Sequence, residues 1–232
     1  MKSVGVRAIE VVVILALPLV MGLGAAFGVH QAATLDMVVV VGSLLLFFGA
    51  YEWRRPSLRE TMPVVVLAAL AAAGRILFAP LPDVKPVSAI CIVAGAVFGR
   101  QSGFMVGALA ALVSNFFFGQ GAWTPWQMYG WGLVGYFAGL LFFVPEGSQR
   151  QVPAWGIYAY GFASGILFGL VMNMWSILGF FQPQTLAEGL GLWALALPLD
   201  VVHGLATVGF LVVLWAPWRR KLLRLHTVYG LA

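Results

Sequence analysis

The chain has 232 residues, of which 62% are hydrophobic and only 9% are charged, and its mean hydropathy is +0.96. A soluble domain of this size cannot bury so much apolar surface, so the composition excludes a soluble protein and predicts an all-α integral membrane protein. The net charge of +5 needs no nucleic-acid partner, because basic residues cluster at the ends of apolar runs. The single Cys91 excludes an internal disulfide and any multi-cysteine metal site.

Apolar runs of roughly 20 residues are candidate membrane spans. We predict eight of them, at residues 11–29, 37–53, 63–78, 87–98, 103–118, 126–144, 154–181 and 190–215. The fourth is short for a hydrocarbon core about 30 Å thick, so it could borrow length from its neighbours or be a tilted, partly sheltered helix. We expect the first to remain a span and not a cleaved signal peptide, because it is long and Glu10 interrupts its approach.

The basic residues predict the topology. With the N-terminus inside, the inner segments contain Lys2, Arg7, Arg54, Arg55, Arg59, Arg100, Arg150, Arg219, Arg220, Lys221 and Arg224. Only Lys85 falls in an outer loop, and only Arg75 falls inside a span. This asymmetry follows the positive-inside rule and predicts that both termini are cytoplasmic.

A polar stretch at residues 52–60 separates two units of different character. Residues 1–60 are predicted to form a two-helix membrane extension made of Val, Leu and Ala with few polar side chains. Residues 61–232 are predicted to form a six-helix membrane core followed by a basic cytoplasmic tail. Because the polar residues within spans lie in the second unit, we expect any functional site there.

Sequence motifs of enzymes are missing from the chain. No Gly-Lys pair occurs, which excludes a phosphate-binding P-loop, and neither His-Glu-x-x-His nor Gly-x-Ser-x-Gly is present. The histidines at positions 30, 203 and 226 lie far apart in the sequence. We therefore predict no catalytic residues, no metal site and no cofactor.

Polar residues inside the spans are the first indication of a binding site, because a charge in lipid is costly and usually faces a cavity or a partner. Arg75 and Asn115 lie toward the outer ends of their spans, as do Asn173 and Trp175 in the seventh. Asp200 and His203 are spaced i, i+3 and share a helix face. Two interpretations remain open: a polar pocket that opens outward, or an Arg75–Asp200 pair with asparagines that bridge helices.

The outer loops are the second indication. Residues 79–86 contain three prolines, which stiffen the backbone, together with Lys85. Residues 116–128 interleave flat aromatic rings with hydrogen-bonding groups, which suits a planar ligand with polar edges, although a tryptophan belt at the membrane interface also explains part of the pattern. These loops add Lys85, Gln120, Trp123, Trp126 and Gln127 to the predicted substrate-binding residues.

The third span has two overlapping small-xxx-small pairs, Ala68 with Ala72 and Ala69 with Ala73. Such pairs let a second helix approach closely. The second helix could belong to this chain or to another subunit. The small residues of the fifth span, including Gly103 and Gly107, predict another closely packed helix.

These stretches together resemble the substrate-binding S components of energy-coupling factor (ECF) vitamin transporters. The resemblance spans residues 61–216 and includes residues 68–82, residues 85–90, and the Gly-Ala-Val-Phe-Gly-Arg-Gln-Ser-Gly-Phe segment at 95–104. It is strongest for Asn-Phe-Phe-Phe-Gly-Gln-Gly-Ala-Trp-Thr-Pro-Trp-Gln-Met at 115–128, which is similar to the cobalamin-type group.

The resemblance implies a bacterial or archaeal plasma-membrane protein whose six-helix core binds a vitamin beneath outer loops. It implies docking, through Ala68 and Ala72 or through Ala69 and Ala73, on a transmembrane coupling subunit that joins two cytoplasmic ATPases. The core then topples in the membrane and carries its ligand inward. Cobalamin is the first candidate, and riboflavin or another aromatic vitamin would fit almost as well. The two extra N-terminal helices depart from the usual S-component pattern.

Other classes of function remain open. A stand-alone proton-coupled carrier could use Asp200 and His203, and it would need a proton gradient but no ATPase. In a structural membrane subunit, the outer polar groups would only tie helices together. A membrane enzyme or assembly factor would need a catalytic pair, which the sequence does not offer.

Overall fold

The structure is a computed structural model, and it describes residues 10–12, 14–16, 32–145, 151–183 and 185–229. Of these residues, 86% are helical and none forms a strand. The helices are α1 (Ala32–Trp53), α2 (Leu58–Leu77), α3 (Val87–Phe98), α4 (Arg100–Phe118), α5 (Trp123–Phe142), α6 (Ala154–Ser176) and α7 (Leu186–Tyr229). A π-helical turn, Ile177–Phe181, extends α6.

The prediction of an all-helical protein compatible with a membrane is confirmed. Within the described ranges, five helical segments are long and apolar enough to cross a membrane, namely Thr34–Trp53, Leu58–Leu77, Arg100–Phe118, Ala154–Phe181 and Leu186–Arg224. Most of the first predicted span, at 11–29, lies outside the described residues, as do Lys2, Arg7, His30 and Arg150. The number of spans and their orientation therefore remain predictions.

The helix α3 lies at the centre of the core. Eleven of its 12 residues are buried, and it contacts α2, α4, α5, α6 and α7. A helix that is apolar on all sides is expected to be surrounded by other helices. This position confirms that the short fourth run is sheltered by its neighbours.

Glycines bring the backbones of α3, α4 and α5 into close contact. A Cβ atom added to Gly135 would lie 2.1 Å from the carbonyl oxygen of Gly103, and one added to Gly95 would lie 2.1 Å from that of Gly135. At Gly107, an added Cβ would lie 2.2 Å from the carbonyl oxygen of Trp131. The prediction that the fifth run is a closely packed helix is confirmed, because only glycine leaves room for these contacts.

The N-terminal residues pack directly on the core. The Phe47 ring of α1 stacks on the Phe104 ring of α4, with centroids 3.7 Å apart. The buried Glu10 carboxylate accepts hydrogen bonds from Gln101 at 2.6 Å and from Tyr136 at 3.1 Å. It also forms an ion pair with Arg100, with 2.9 Å between Glu10 Oε2 and Arg100 Nε. The geometry at Nε does not meet the criteria for a hydrogen bond. These contacts attach the N-terminal unit to one end of α4 and α5.

The helix α7 has 44 residues, whereas the last apolar run predicted a helix at 190–215. It begins four residues earlier and continues through the basic segment to Tyr229. At 1.5 Å per residue it is about 66 Å long, well beyond a hydrocarbon core of about 30 Å. Leucine, lysine and arginine are good helix formers, so the helix continues where the apolar run stops.

Candidate functional site

Most of the predicted site residues lie at one end of the helix bundle. The helices α2, α4 and α6 end there, and α5 and α7 begin there, because consecutive helices run in opposite directions. Arg75 precedes the end of α2 by two residues, and Asn115 lies in the last turn of α4. Gln127 lies near the start of α5, and Asn173 near the end of α6. The antiparallel arrangement thus gathers polar groups that are far apart in the sequence.

The half-buried Arg75 is held by neutral oxygen atoms from α4 and α5. Its Nη1 donates to Ser114 Oγ at 2.7 Å and to Asn115 Oδ1 at 2.6 Å, and its Nη2 donates to Gln127 Oε1 at 3.4 Å. Asn115 Nδ2 donates to Gln127 Oε1 at 2.8 Å and to Thr124 Oγ1 at 3.0 Å. Ser114, Asn115 and Thr124 are buried, so this network is part of the protein interior.

Two aromatic rings flank the same guanidinium. Its Cζ atom lies 4.7 Å from the centroid of Phe118 and 4.9 Å from that of Trp131, a distance at which a cation interacts favourably with a ring face. Trp131 Nε1 also donates to Ser88 Oγ at 3.2 Å, and Ser88 Oγ lies 2.7 Å from His203 Nε2. Trp131 therefore connects Arg75 of α2 with Ser88 of α3 and His203 of α7.

The Arg75 guanidinium has no carboxylate partner among the described residues. Within those residues the ion pair is Arg100–Glu10, and the Asp200 carboxylate instead accepts a hydrogen bond from Asn173 at 3.0 Å. The Arg75–Asp200 pair, which was one of the two open interpretations, is not formed. The positive charge of Arg75 is met only by neutral acceptors and ring faces.

Lys85 fixes the loop that follows α2. Its ammonium donates to the carbonyl oxygens of Phe78, Ala79 and Leu81, the second at 3.3 Å. Three acceptors use all three donors of a lysine ammonium. Burial lowers the pKa of Lys85; nearby Asp83 opposes this shift and Arg75 adds to it. Lys85 thus adds a second positive charge near Arg75 while it holds the loop in place.

The remaining predicted residues of the α4–α5 connection, Gln120 and Trp123, are both exposed. Gln120 uses both ends of its amide, since it donates to the carbonyl oxygen of Leu112 at 2.9 Å and accepts from Thr124 Oγ1 at 3.0 Å. The Trp123 ring lies against Gly121 and is 39% exposed. Gln120 and Trp123 therefore lie at the rim, outside the buried part of the network.

Trp126 and Trp175 form an aromatic pair between α5 and α6. Their ring centroids are 6.0 Å apart, with a tilt of 40°. Trp126 is only 1% exposed, yet its indole Nε1 has no hydrogen-bond partner in the described part of the chain. A buried donor without a partner costs free energy, so this N–H group is an unsatisfied polar group in the described part of the chain.

The predicted substrate-binding residues did not include five residues of the site: Ser88, Ser114, Phe118, Thr124 and Trp131. Phe118 and Thr124 lie in the segment at 116–128 that the sequence had indicated. Ser88 is a single hydroxyl in an apolar run, and a fully buried hydroxyl needs a partner. Trp131 lies four residues after Gln127, on the same helix face, and this spacing is a signal that could have identified it. Ser114 precedes Asn115 directly, and its contact with Arg75 depends on how α4 is rotated.

The structure separates the two predicted docking pairs on α2. Ala68 and Ala72 are buried, at 3% and 2% exposure, so they pack within this chain. Ala69 and Ala73 are exposed, and they lie on a face with other exposed apolar residues, namely Met62, Val65, Val66, Leu70 and Leu77. A second subunit can reach the Ala69–Ala73 pair, whereas Ala68 and Ala72 are not available to it.

Comparison with curated proteins and with solved structures found no match. The profile of one protein family matches residues 55–220. This range contains nearly all of α2 to α7, including every residue of the Arg75 network, and it leaves out α1. Since the match covers most of the chain, the protein belongs to DUF6580, a family of unknown function.

Proposed function

We propose that the protein is the substrate-specific membrane subunit of an ECF-type importer, which binds a vitamin at the end of the bundle that contains Arg75. The observation that carries this proposal is the Arg75 network itself. Side chains from α2, α4 and α5 converge on a guanidinium that lacks a carboxylate partner among the described residues. A purely structural arginine in an apolar bundle would be expected to have a counter-ion.

The same proposal assigns roles to the two ends of the bundle. The Arg75 end faces outward and binds ligand beneath the loops at 78–86 and 119–122. The opposite end carries the basic residues of the tail, which the positive-inside rule assigns to the cytoplasm. The ligand is a vitamin, with cobalamin as the first candidate and riboflavin or another aromatic vitamin as the next.

Import requires partner subunits, because the chain contains no P-loop. We propose that a transmembrane coupling subunit docks on the exposed α2 face that contains Ala69 and Ala73. Two cytoplasmic ATPases would then supply the energy. The small, exposed residues of this face allow another helix to approach closely.

A stand-alone proton-coupled carrier is the second candidate. The observation that favours it is the burial of Asp200 and His203, at 7% and 4% exposure, on one face of α7. Ionisable groups within spans often transfer protons. Uptake that collapses with the proton gradient and needs no ATPase would favour the carrier over the importer subunit, and a protein that binds no ligand at all would be a structural subunit.

The test of the proposed function is ligand retention. We expect the protein, purified alone in mild detergent, to retain a vitamin at one molecule per chain, which mass spectrometry would identify and calorimetry would confirm. Binding without ATPase subunits is the expected property of an importer's substrate-specific subunit. Absence of a co-purified vitamin, together with no binding across a vitamin panel, would contradict the proposal.

Replacing Gln127 by alanine should weaken the binding of that vitamin. The substitution removes the acceptor shared by Arg75 Nη2 and Asn115 Nδ2, so it frees the guanidinium to move. We expect a loss of about 1–3 kcal/mol of binding free energy, measured by calorimetry. The control is Gln151→Ala, an exposed position before α6, and unchanged affinity in Gln127→Ala would place the ligand elsewhere.

A further inference from the structure

We propose that the ligand presents an oxyanion, a carboxylate or a phosphate, to the Nε–Nη2 edge of Arg75. This inference rests on the proposed function, since it names the chemical class of ligand for the same site. Three observations support it: the N–H donors of Arg75 that are still free, the charge around the guanidinium, and the fixed orientation of the guanidinium plane.

The first argument is the count of donors. A guanidinium carries five N–H groups: two on Nη1, two on Nη2 and one on Nε. Both Nη1 donors are used, by Ser114 and Asn115, and Nη2 has one long contact of 3.4 Å to Gln127. Nε donates to no acceptor in the described part of the chain. The Nε–Nη2 edge therefore offers two roughly parallel donors, the arrangement that binds two oxygens of one oxyanion.

The second argument is charge. Among the described residues, the three acceptors of Arg75 are a hydroxyl and two amide oxygens, all neutral. Lys85 adds a positive charge nearby, and Asp83 next to Lys85 adds a negative one that forms no ion pair with Arg75 in the described part of the chain. A cation that is half withdrawn from water without a counter-ion is unfavourable, and an anionic ligand removes that cost. A neutral amide or hydroxyl of a ligand would satisfy one donor but leave the charge uncompensated.

The third argument is pre-organisation. Phe118 and Trp131 flank the guanidinium, while Asn115 is fixed in turn by Thr124 and Gln127. An arginine held in this way loses little freedom when a ligand binds. The assignment also discriminates among vitamins, since riboflavin carries no oxyanion, whereas cobalamin could bind only through its phosphodiester.

Small probes test the assignment without knowledge of the natural ligand. Benzoate and phenyl phosphate each carry an oxyanion on a flat ring, and benzamide is the neutral match of benzoate. We expect at least one of the two anions to raise the melting temperature of the detergent-purified full chain at millimolar concentration, relative to sodium chloride of equal ionic strength. Benzamide should have no such effect, and comparison of the two anions distinguishes a carboxylate site from a phosphate site.

Variants connect the effect to Arg75. The anion-dependent shift should disappear in Arg75→Gln and persist in Arg59→Gln, a matched substitution at an exposed position of the same helix. Arg75→Lys is the second variant in case Arg75→Gln does not fold; it keeps the charge but loses the two-donor edge, so its apparent anion affinity should fall about 10- to 100-fold.

The proposal is overturned if benzamide stabilises as well as benzoate, if neither anion stabilises the protein, or if the Arg75 variants respond like the wild type. Its failure differs from failure of the proposed function. If the protein retains a neutral vitamin and the Arg75 substitutions do not change that retention, the oxyanion proposal is wrong but the importer proposal is supported. If the anions stabilise the protein through Arg75 but the protein binds no vitamin, the oxyanion site is supported and the importer proposal is wrong.

Discussion

Replacing Gly135 by alanine is expected to destabilise the folded protein strongly. The added methyl group would lie 2.1 Å from the carbonyl oxygen of Gly103 and 2.9 Å from its Cα, so α4 and α5 would have to separate. Overpacking usually costs about 1–3 kcal/mol, and the cost is at the upper end here because the obstructing atoms belong to the backbone. Size-exclusion chromatography in detergent and the melting temperature measure the loss.

The control for this substitution is Gly42→Ala in α1. No atom lies within 4 Å of a Cβ added at Gly42, so alanine has room there. Alanine is a better helix former than glycine by about 0.5–1 kcal/mol, so Gly42→Ala should be neutral or mildly stabilising. A wild-type melting temperature in Gly135→Ala would contradict the close contact between α4 and α5.

If the proposed importer is correct, replacing Ala73 by tryptophan abolishes ATP-driven uptake and leaves vitamin binding at its wild-type affinity. The side chain is exposed on α2, so a large ring there disturbs no contact inside the chain but prevents close approach of another helix. The measurement pairs uptake into cells that contain the coupling proteins with calorimetry on the purified chain. Normal uptake at normal expression would refute the docking role of this face.

Two other alanines serve as controls for docking. Ala72→Trp places the same ring at a buried position, so it should lower the yield of folded protein and reduce binding and uptake together. Ala216→Trp places it at an exposed position of α7, outside the proposed docking face, and should leave both binding and uptake unchanged. Loss of uptake in Ala216→Trp would mean that any added bulk in the membrane blocks transport.

The helix bounds were predictable where a helix-breaking proline or glycine lies at each end of an apolar run. The predicted bounds of α3 are those of the structure, because Pro86 precedes the helix and Gly99, with φ of +88°, follows it. The end of α7 was not predictable in the same way. Hydropathy shows where a segment leaves the apolar part of a membrane, and α7 continues past that point to Tyr229.

The site was predictable in location but not in pairing. A polar residue near the end of a span indicates depth, which was sufficient to group Arg75 with Asn115, and the composition of the loop at 116–128 added Gln127. Which of them touch depends on the rotation of each helix about its axis, and hydropathy does not define that rotation for helices that are apolar on most sides. For this reason Ser114 was missed, and an Arg75–Asp200 pair remained open until the contacts of Asp200 were known.

The position of Trp131 bears on how the molecule can open. One indole contacts Arg75 of α2 and Ser88 of α3, and Ser88 continues the link to His203 of α7. A change in the angle between α2 and α7 at this end would have to break at least one contact of this series. We therefore expect α2, α3, α5 and α7 to move together at this end of the bundle, because their side chains are linked there in one series.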